Sequence, residues 1–245
     1  MTGRNGLSTV SSSHDLLGKK HYLMKASIPQ FLGISDEHID AQSLERPVHR
    51  DIVQPLQRLK AKAKTAGFEL CIASGFRDFD RQSTIWAAKA SGERPVLSSD
   101  EHPLDISALT PKELLFAMLR WSALPGCSRH HWGTEVDVYD ASAMDEGYVL
   151  QLTIDESKTV FSAFYQWLDA LIEQGESEGF YRPYAVDKGG VSPEPWHLSY
   201  APISTNFSNA LNEKELLKQL CELGPISLMS EIKENWGDIY RRFIV

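Results

Sequence analysis

Residues 128–140 read Ser128-Arg129-His130-His131-Trp132-Gly133-Thr134-Glu135-Val136-Asp137-Val138-Tyr139-Asp140. From Thr134 onward the residues alternate, Val136 and Val138 pointing one way and Glu135, Asp137 and Tyr139 the other. That two-residue period predicts a half-buried strand whose polar face carries a carboxylate. Gly133 marks a turn just before the strand, with two imidazoles on its near side.

Upstream, Ile52, Leu56, Leu59, Ala63 and Ala66 recur at helical spacing and Gly67 ends the run. Phe68–Ser74 is a short apolar run rich in strand formers, closed by Gly75. A further helix is expected from about Asp80 to Ala90. Thr110-Pro111-Lys112-Glu113 is a capping-box pattern with proline at the first helical position, announcing a helix to about Trp121. Downstream, Val160, Phe161, Phe164, Trp167, Leu168, Leu171 and Ile172 mark a long amphipathic helix ending at Gly175, its aromatic stripe read as core. Strands are expected at Phe180–Val186 and Pro193–Tyr200, then helices at Asn212–Leu223 and Ile226–Phe243 separated by Gly224-Pro225. Helices and strands alternate irregularly, with too few strand pairs for a doubly wound sheet, so the fold class is α+β. No linker or repeat divides the chain. We expect a loose polar arm over residues 1–20 and one domain over 21–245.

A chain of 245 residues buries a sizeable core without metal staples, so a metal here is chemical rather than structural. The balance of 25 Lys+Arg against 33 Asp+Glu opposes binding to polyphosphate backbones or anionic bilayers, and nucleic acid and membrane surfaces are poor partners. The longest strongly apolar stretch, Leu114–Leu119, is far short of a membrane span. Residues Met1–Lys20 lack the apolar centre of a secretory signal. The expected location is therefore cytoplasmic, or the cell envelope if a leader has been trimmed. Cys71, Cys127 and Cys221 have no metal-ligand spacing and read as free, buried thiols.

The chemistry must then reside among the histidines and their neighbours. His14, His21, His38, His49 and His102 lie in polar surroundings with no carboxylate in register and are read as surface residues. His130 and His197 differ, since each lies beside acids at a chain bend. Two imidazoles and one carboxylate hold a zinc ion while leaving its fourth position for water. Asp137 is placed to meet His130 across the Gly133 turn. In Glu194-Pro195-Trp196-His197, Glu194 supplies a base, provided that Pro195 breaks the strand geometry that would send residues three apart to opposite faces. Arg77, after a strand and Gly75, suits a carboxylate or a developing oxyanion, and Gln82 offers an amide donor. His131 is an alternative ligand, but it shifts the register to Asp137 by one, and neighbouring residues point apart.

Three blocks, Ser74-Gly75-Phe76-Arg77 with Gln82, Ser128-x-His130-x-x-Gly133-x-x-x-Asp137 and Glu194-Pro195-Trp196-His197-Leu198-x-Tyr200, resemble those of the VanY-type D-alanyl-D-alanine carboxypeptidases, zinc metallopeptidases related to lysostaphin-type peptidases and the hedgehog zinc domain. The resemblance covers about residues 68–200 and leaves a C-terminal helical extension at 203–245. It implies a small antiparallel sheet carrying the zinc site and flanked by helices. It further implies His130, Asp137 and His197 as zinc ligands, Glu194 as general base and acid, and Arg77, Gln82, Ser128 and Trp196 at the substrate. The implied reaction is removal of a C-terminal D-Ala from peptidoglycan stem peptides or precursors, with dipeptidase or L,D-carboxypeptidase action as variants. An endopeptidase of the same fold and a non-catalytic zinc-binding interaction module are the alternatives. The chain departs from the pattern at His131 and at Ser199, where a basic residue is common, which bears on substrate preference.

Overall fold

The computed structural model describes residues 26–208 and 212–244. The expected arm, with His14 and His21, falls outside them. Ser27 and Gln30 form a capping box that starts α1 (Ile28–Phe31). Two short antiparallel strands follow, β1 (Ile39–Asp40) and β2 (Val48–His49). The helix α2 (Val53–Thr65) buries Leu56, Leu59 and Ala63, the face that its periodicity predicts. After β3 (Leu70–Ser74), Asp78 caps α3 (Phe79–Ala90) by accepting the Arg81 N–H. The expected Thr110/Glu113 box opens α4 (Pro111–Leu119). Then come β4 (Glu135–Asp140), α5 (Ile154–Lys158), α6 (Ser162–Glu173), β5 (Phe180–Tyr181), β6 (His197–Tyr200) and α7 (Ala201–Ser208).

The C-terminal extension contains α8 (Glu213–Glu222), α9 (Met229–Glu234), α10 (Trp236–Ile239) and a π-helical turn, Tyr240–Ile244. The single helix expected over 226–243 is thus broken at Asn235. The break lets both Ile232 and Trp236 enter the core. The two long strands expected at 180–186 and 193–200 shrink to β5 and β6. Beyond Tyr181 the chain has no strand partner, and a turn at Pro195-Trp196 delays β6 until His197.

The main sheet is antiparallel throughout, in the order β3-β4-β6-β5. Its central strand β4 sets Asp137 opposite His197 of β6 and opposite Ser74 of β3, where an irregularity follows Ile72. Val136, Val138 and Leu198 turn one face toward α2 and α6, forming a core with Leu56, Leu59, Phe161, Phe164 and Leu168. A second core joins α1, α3 and α4 to the C-terminal extension through Trp86, Leu115, Met118, Leu220 and Trp236. The charged face of β4 lies between these two cores. It is not half-exposed as its alternation suggests, because Glu135 and Asp137 are both buried.

His38 and His49 are also buried, against the surface positions expected for them. Their rings meet at 5.3 Å, and both pack on Phe207 of α7. Burial, reinforced for His38 by the neighbouring His49, pushes the His38 pKa down to about 4. His102 is exposed as expected. All three cysteines are free, but Cys127 alone is fully buried, Cys71 being half-buried and Cys221 exposed.

Candidate metal centre

His130 stands on a 3-10 turn, Arg129–Trp132, which Gly133 ends with a φ of 68°. A side chain at Gly133 would place its Cβ 2.8 Å from His49 N, so the turn needs glycine for space as well as conformation. The His130 Nδ1–H donates to Gly75 O at 2.8 Å, which leaves Nε2 free to face Asp137 Oδ2 at 3.4 Å. On the paired strand, His197 Nε2–H donates to Glu135 Oε2 at 3.0 Å. Its Nδ1 then lies 3.3 Å from Asp137 Oδ1 and 3.1 Å from Glu194 Oε2. The Glu194–His197 turn is closed by His197 N–H donating to Glu194 O at 3.1 Å. This is the strand irregularity at Pro195 that a shared site requires.

His130, Asp137 and His197 form a group of potential metal ligands with all three ligand atoms within 4.8 Å of one another. A tetrahedral ion with bonds of about 2.0–2.1 Å separates its neighbouring ligand atoms by about 3.3–3.4 Å, and each imidazole lies at about that distance from a different Asp137 oxygen. Asp137 Oδ1 is buried without a hydrogen-bond donor. A buried carboxylate oxygen left so is costly, and a cation is what it lacks. Burial opposes ionisation of Asp137, but the two imidazoles outweigh it and hold the carboxyl far below its usual range. Burial likewise disfavours a charged His197, yet Asp137, Glu135 and Glu194 together raise its pKa well above the ordinary value. The pocket therefore selects positive charge at this spot, and the residues fit a divalent metal.

His131 is no ligand. Its Nδ1–H donates to Arg77 O at 2.6 Å and its Nε2 accepts the Gly126 N–H at 3.0 Å, so both nitrogens are committed. Burial lowers its pKa to about 3, which keeps it neutral and suited to both roles. Instead it ties the Arg77 backbone to the turn that carries His130, aided by Arg77 N–H donating to His130 O at 3.1 Å.

The Arg77 side chain is aimed from two sides: it donates to Gln82 Oε1 at 2.9 Å and to Ser74 Oγ at 3.0 Å. Gln82 in turn donates to Ala123 O at 2.6 Å. Gln82 is fully buried, so it orients Arg77 where the sequence suggested a donor to substrate. Burial lowers the Arg77 pKa, against the pull of Asp137 and Glu194. Ser128 is buried at the start of the His130 turn. Trp196, expected at the substrate, is instead buried in the core that also holds Val136, Val138 and Leu198.

Glu135 escaped the sequence reading. It is fully buried, and besides His197 it receives hydrogen bonds from Ser199 Oγ at 2.7 Å, Thr134 Oγ1 at 3.1 Å and Arg129 at 3.2 Å. Arg129 also donates to Ser199 Oγ and Tyr181 Oη, and its guanidinium lies 4.6 Å from the Trp132 ring centre. Ser199, the departure that bore on substrate preference, thus acts behind His197. Arg182, half-buried, donates through Nε to Pro195 O at 2.7 Å and fixes the turn that carries Glu194. A carboxylate on the second nitrogen of a ligand histidine sets its tautomer, and losing it usually costs 10–100-fold in metal affinity. Glu135→Gln is expected to weaken binding of a divalent metal such as Zn²⁺ by about that factor. A competition titration against a chromophoric chelator checks this, and unchanged affinity would remove Glu135 from the centre.

The sequence profile of VanY, D-alanyl-D-alanine carboxypeptidase, matches residues 45–203. An uncharacterized protein of Haemophilus influenzae is 38% identical over 105 residues, covering 41% of this chain and 72% of its own length. A D-alanyl-D-alanine carboxypeptidase of Enterococcus faecalis is 28% identical over 151 residues, 60% of this chain and 46% of that protein. Among solved structures, the D,D-pentapeptidase VanY of a VanB-type resistance cassette, crystallised with Zn(II), is 26% identical, with a TM-score of 0.47 over 75% of this chain and 92% of its own. The profile match takes in well over half of the chain and every residue from Arg77 through Asp137 to His197, and on that ground the chain belongs to the VanY family of D-alanyl-D-alanine carboxypeptidases and is a peptidase of that type.

Proposed function

We propose that the protein is a zinc-dependent carboxypeptidase that removes a C-terminal D-Ala from peptidoglycan stem peptides or their precursors. The observation that carries this reading is the fixed Arg77 guanidinium, held by Gln82 and Ser74 beside the His130–Asp137–His197 cluster. A chain-terminal carboxylate is the partner such a fork suits, and an internal peptide bond offers none. In the proposed centre His130 Nε2, His197 Nδ1 and an Asp137 oxygen hold zinc, which when bound supplies Lewis-acid polarisation of water and carbonyl.

The other roles belong to the chain. Glu194 Oε2 takes a proton from the attacking water as the new C–O bond forms, and returns it to the amine nitrogen as the C–N bond breaks. His197 keeps its orientation through Glu135, so the base and the ligand cluster stay in register. Arg77 grips the free carboxylate and fixes how far the scissile bond lies from the peptide end. Among the described residues no helix is long and apolar enough to cross a membrane.

The test is a cycle on Arg77. Amidating the C-terminus of a D-Ala-D-Ala peptide should lower kcat/KM by about 30-fold or more, the loss expected when one partner of a buried charge pair is removed. Arg77→Ala should lower it for the free acid alone, and the two changes should not add. Equal cleavage of amide and acid by the unaltered enzyme would replace this reading with an endopeptidase.

A further inference from the structure

The segment that delivers Glu194 is a loop closed at its base, since Glu194 N–H donates to Tyr184 O at 3.0 Å. Between Tyr181 and His197 the chain forms no strand or helix, so the shape of residues 184–194 rests on what holds them from outside. The tip folds locally: Gly189 N–H donates to Asp187 Oδ1 at 2.7 Å, with Gly189 at a φ of 77° that favours glycine.

Two arginines hold the loop. Arg120, at the C-cap of α4, forks onto Asp187, Nη1 to Oδ1 at 3.1 Å and Nη2 to Oδ2 at 2.7 Å, and donates to Gly190 O. Its own carbonyl accepts the Ser192 N–H at 2.9 Å. The second is Arg242, in the π-helical turn of the C-terminal extension, beyond residue 203 where the VanY profile ends. Its Nε donates to Gly189 O at 2.7 Å. The guanidinium is itself fixed, with Nη1 2.9 Å from Asp238 Oδ2 and the rings of Phe116 and Phe243 centred 5.3 and 5.0 Å away. Gly190 is buried, and a Cβ there would collide with the Arg242 carbonyl. Backbone meets backbone at that point, which only glycine permits.

We infer that the C-terminal extension is a working part of the site: Arg242 is a positioning residue that holds the Gly189-Gly190 tip and, through the loop, keeps the Glu194 carboxylate beside His197. The inference rests on the reading of Glu194 as the base. His130, Asp137 and His197 stand on β4, β6 and the turn before β4, and among the described residues Arg242 bonds to none of these. Loosening the loop therefore disturbs proton transfer and spares the ligand cluster and Arg77. Its effect falls on kcat, with KM little changed.

Arg242→Met keeps an apolar stem against Phe116 and removes the donor, while Arg242→Lys keeps a cation that can reach the same carbonyl. On zinc-loaded enzyme and a D-Ala-D-Ala peptide, Arg242→Met should lower kcat about tenfold with KM within about twofold and zinc content unchanged, and Arg242→Lys should recover most of the loss. In a Glu194→Gln background, Arg242→Met should cost no further kcat, because the two act through one group. Amide hydrogen exchange of Arg242→Met should quicken over residues 184–192 and stay as it was in β4, β6 and α8. An unchanged kcat, an equal further loss in the Glu194→Gln background, or faster exchange throughout the molecule overturns the inference. If the unaltered enzyme cleaves no such peptide, the carboxypeptidase reading fails, and exchange alone then decides: quickening confined to the loop supports the hold by Arg242, and unchanged exchange overturns it.

Discussion

Glu194→Gln is expected to leave stoichiometric zinc in place while kcat on a D-Ala-D-Ala peptide falls about 10²- to 10⁴-fold, the range for a positioned acid/base. The two effects separate because, among the described residues, the Glu194 carboxylate meets the cluster only through its Oε2, 3.1 Å from His197 Nδ1. The ligand set does not include it. Its position comes from the backbone: Glu194 N–H donates to Tyr184 O, and Arg182 holds Pro195 O, so an isosteric amide should occupy the same place. The amide cannot accept the proton that a carboxylate can. Zinc content by elemental analysis and turnover by product mass are the two readouts. Near-normal turnover would mean that the proton goes elsewhere.

His197→Ala should abolish zinc retention through dialysis. This imidazole is approached by Asp137, Glu135 and Glu194 at 3.3, 3.0 and 3.1 Å, so its removal takes away a ligand and exposes three carboxylates to one another. Stranding buried charge costs about 3–5 kcal/mol, and the metal-free variant should show a lowered urea midpoint as well. It should remain folded, since Arg129 still neutralises Glu135 and both cores are untouched. Stoichiometric zinc after dialysis would show that the metal is held by other residues.

That His130, Asp137 and His197 would gather was legible in the sequence because their constraints are local. Gly133 must turn, Asp137 follows on a strand two residues in period, and Pro195 forces the bend that brings Glu194 to His197. The helices α2, α4 and α6 were legible for the same reason, through caps and 3.6-residue periodicity. What escaped was set by distant partners. Glu135 looks like the polar face of a half-exposed strand, and only pairing with Ser199, 64 residues away, makes it a buried hub. Gln82 reads as a substrate donor until Ala123 claims its nitrogen. Trp196 sits in the family motif, yet packs under the sheet. His38 and His49 look like surface residues because Phe207, which covers them, lies more than 150 residues downstream.

The support of Arg77 and the His130–Asp137–His197 cluster belong to different halves of the molecule. Asp137 and His197 ride on strands backed by the α2/α6 core, while Gln82, which aims Arg77, belongs to α3 and shares the other core with the C-terminal extension. Opening of that second core alone would break the Gln82–Arg77 bond and spare the sheet. On the proposed reading, such a partly opened molecule would keep its ion and lose the means to measure a peptide's end. In amide hydrogen exchange, α3, α4 and α8 would then exchange together as one unit ahead of β4 and β6. Mild denaturant would strip the enzyme of its choice of substrate before it stripped it of metal.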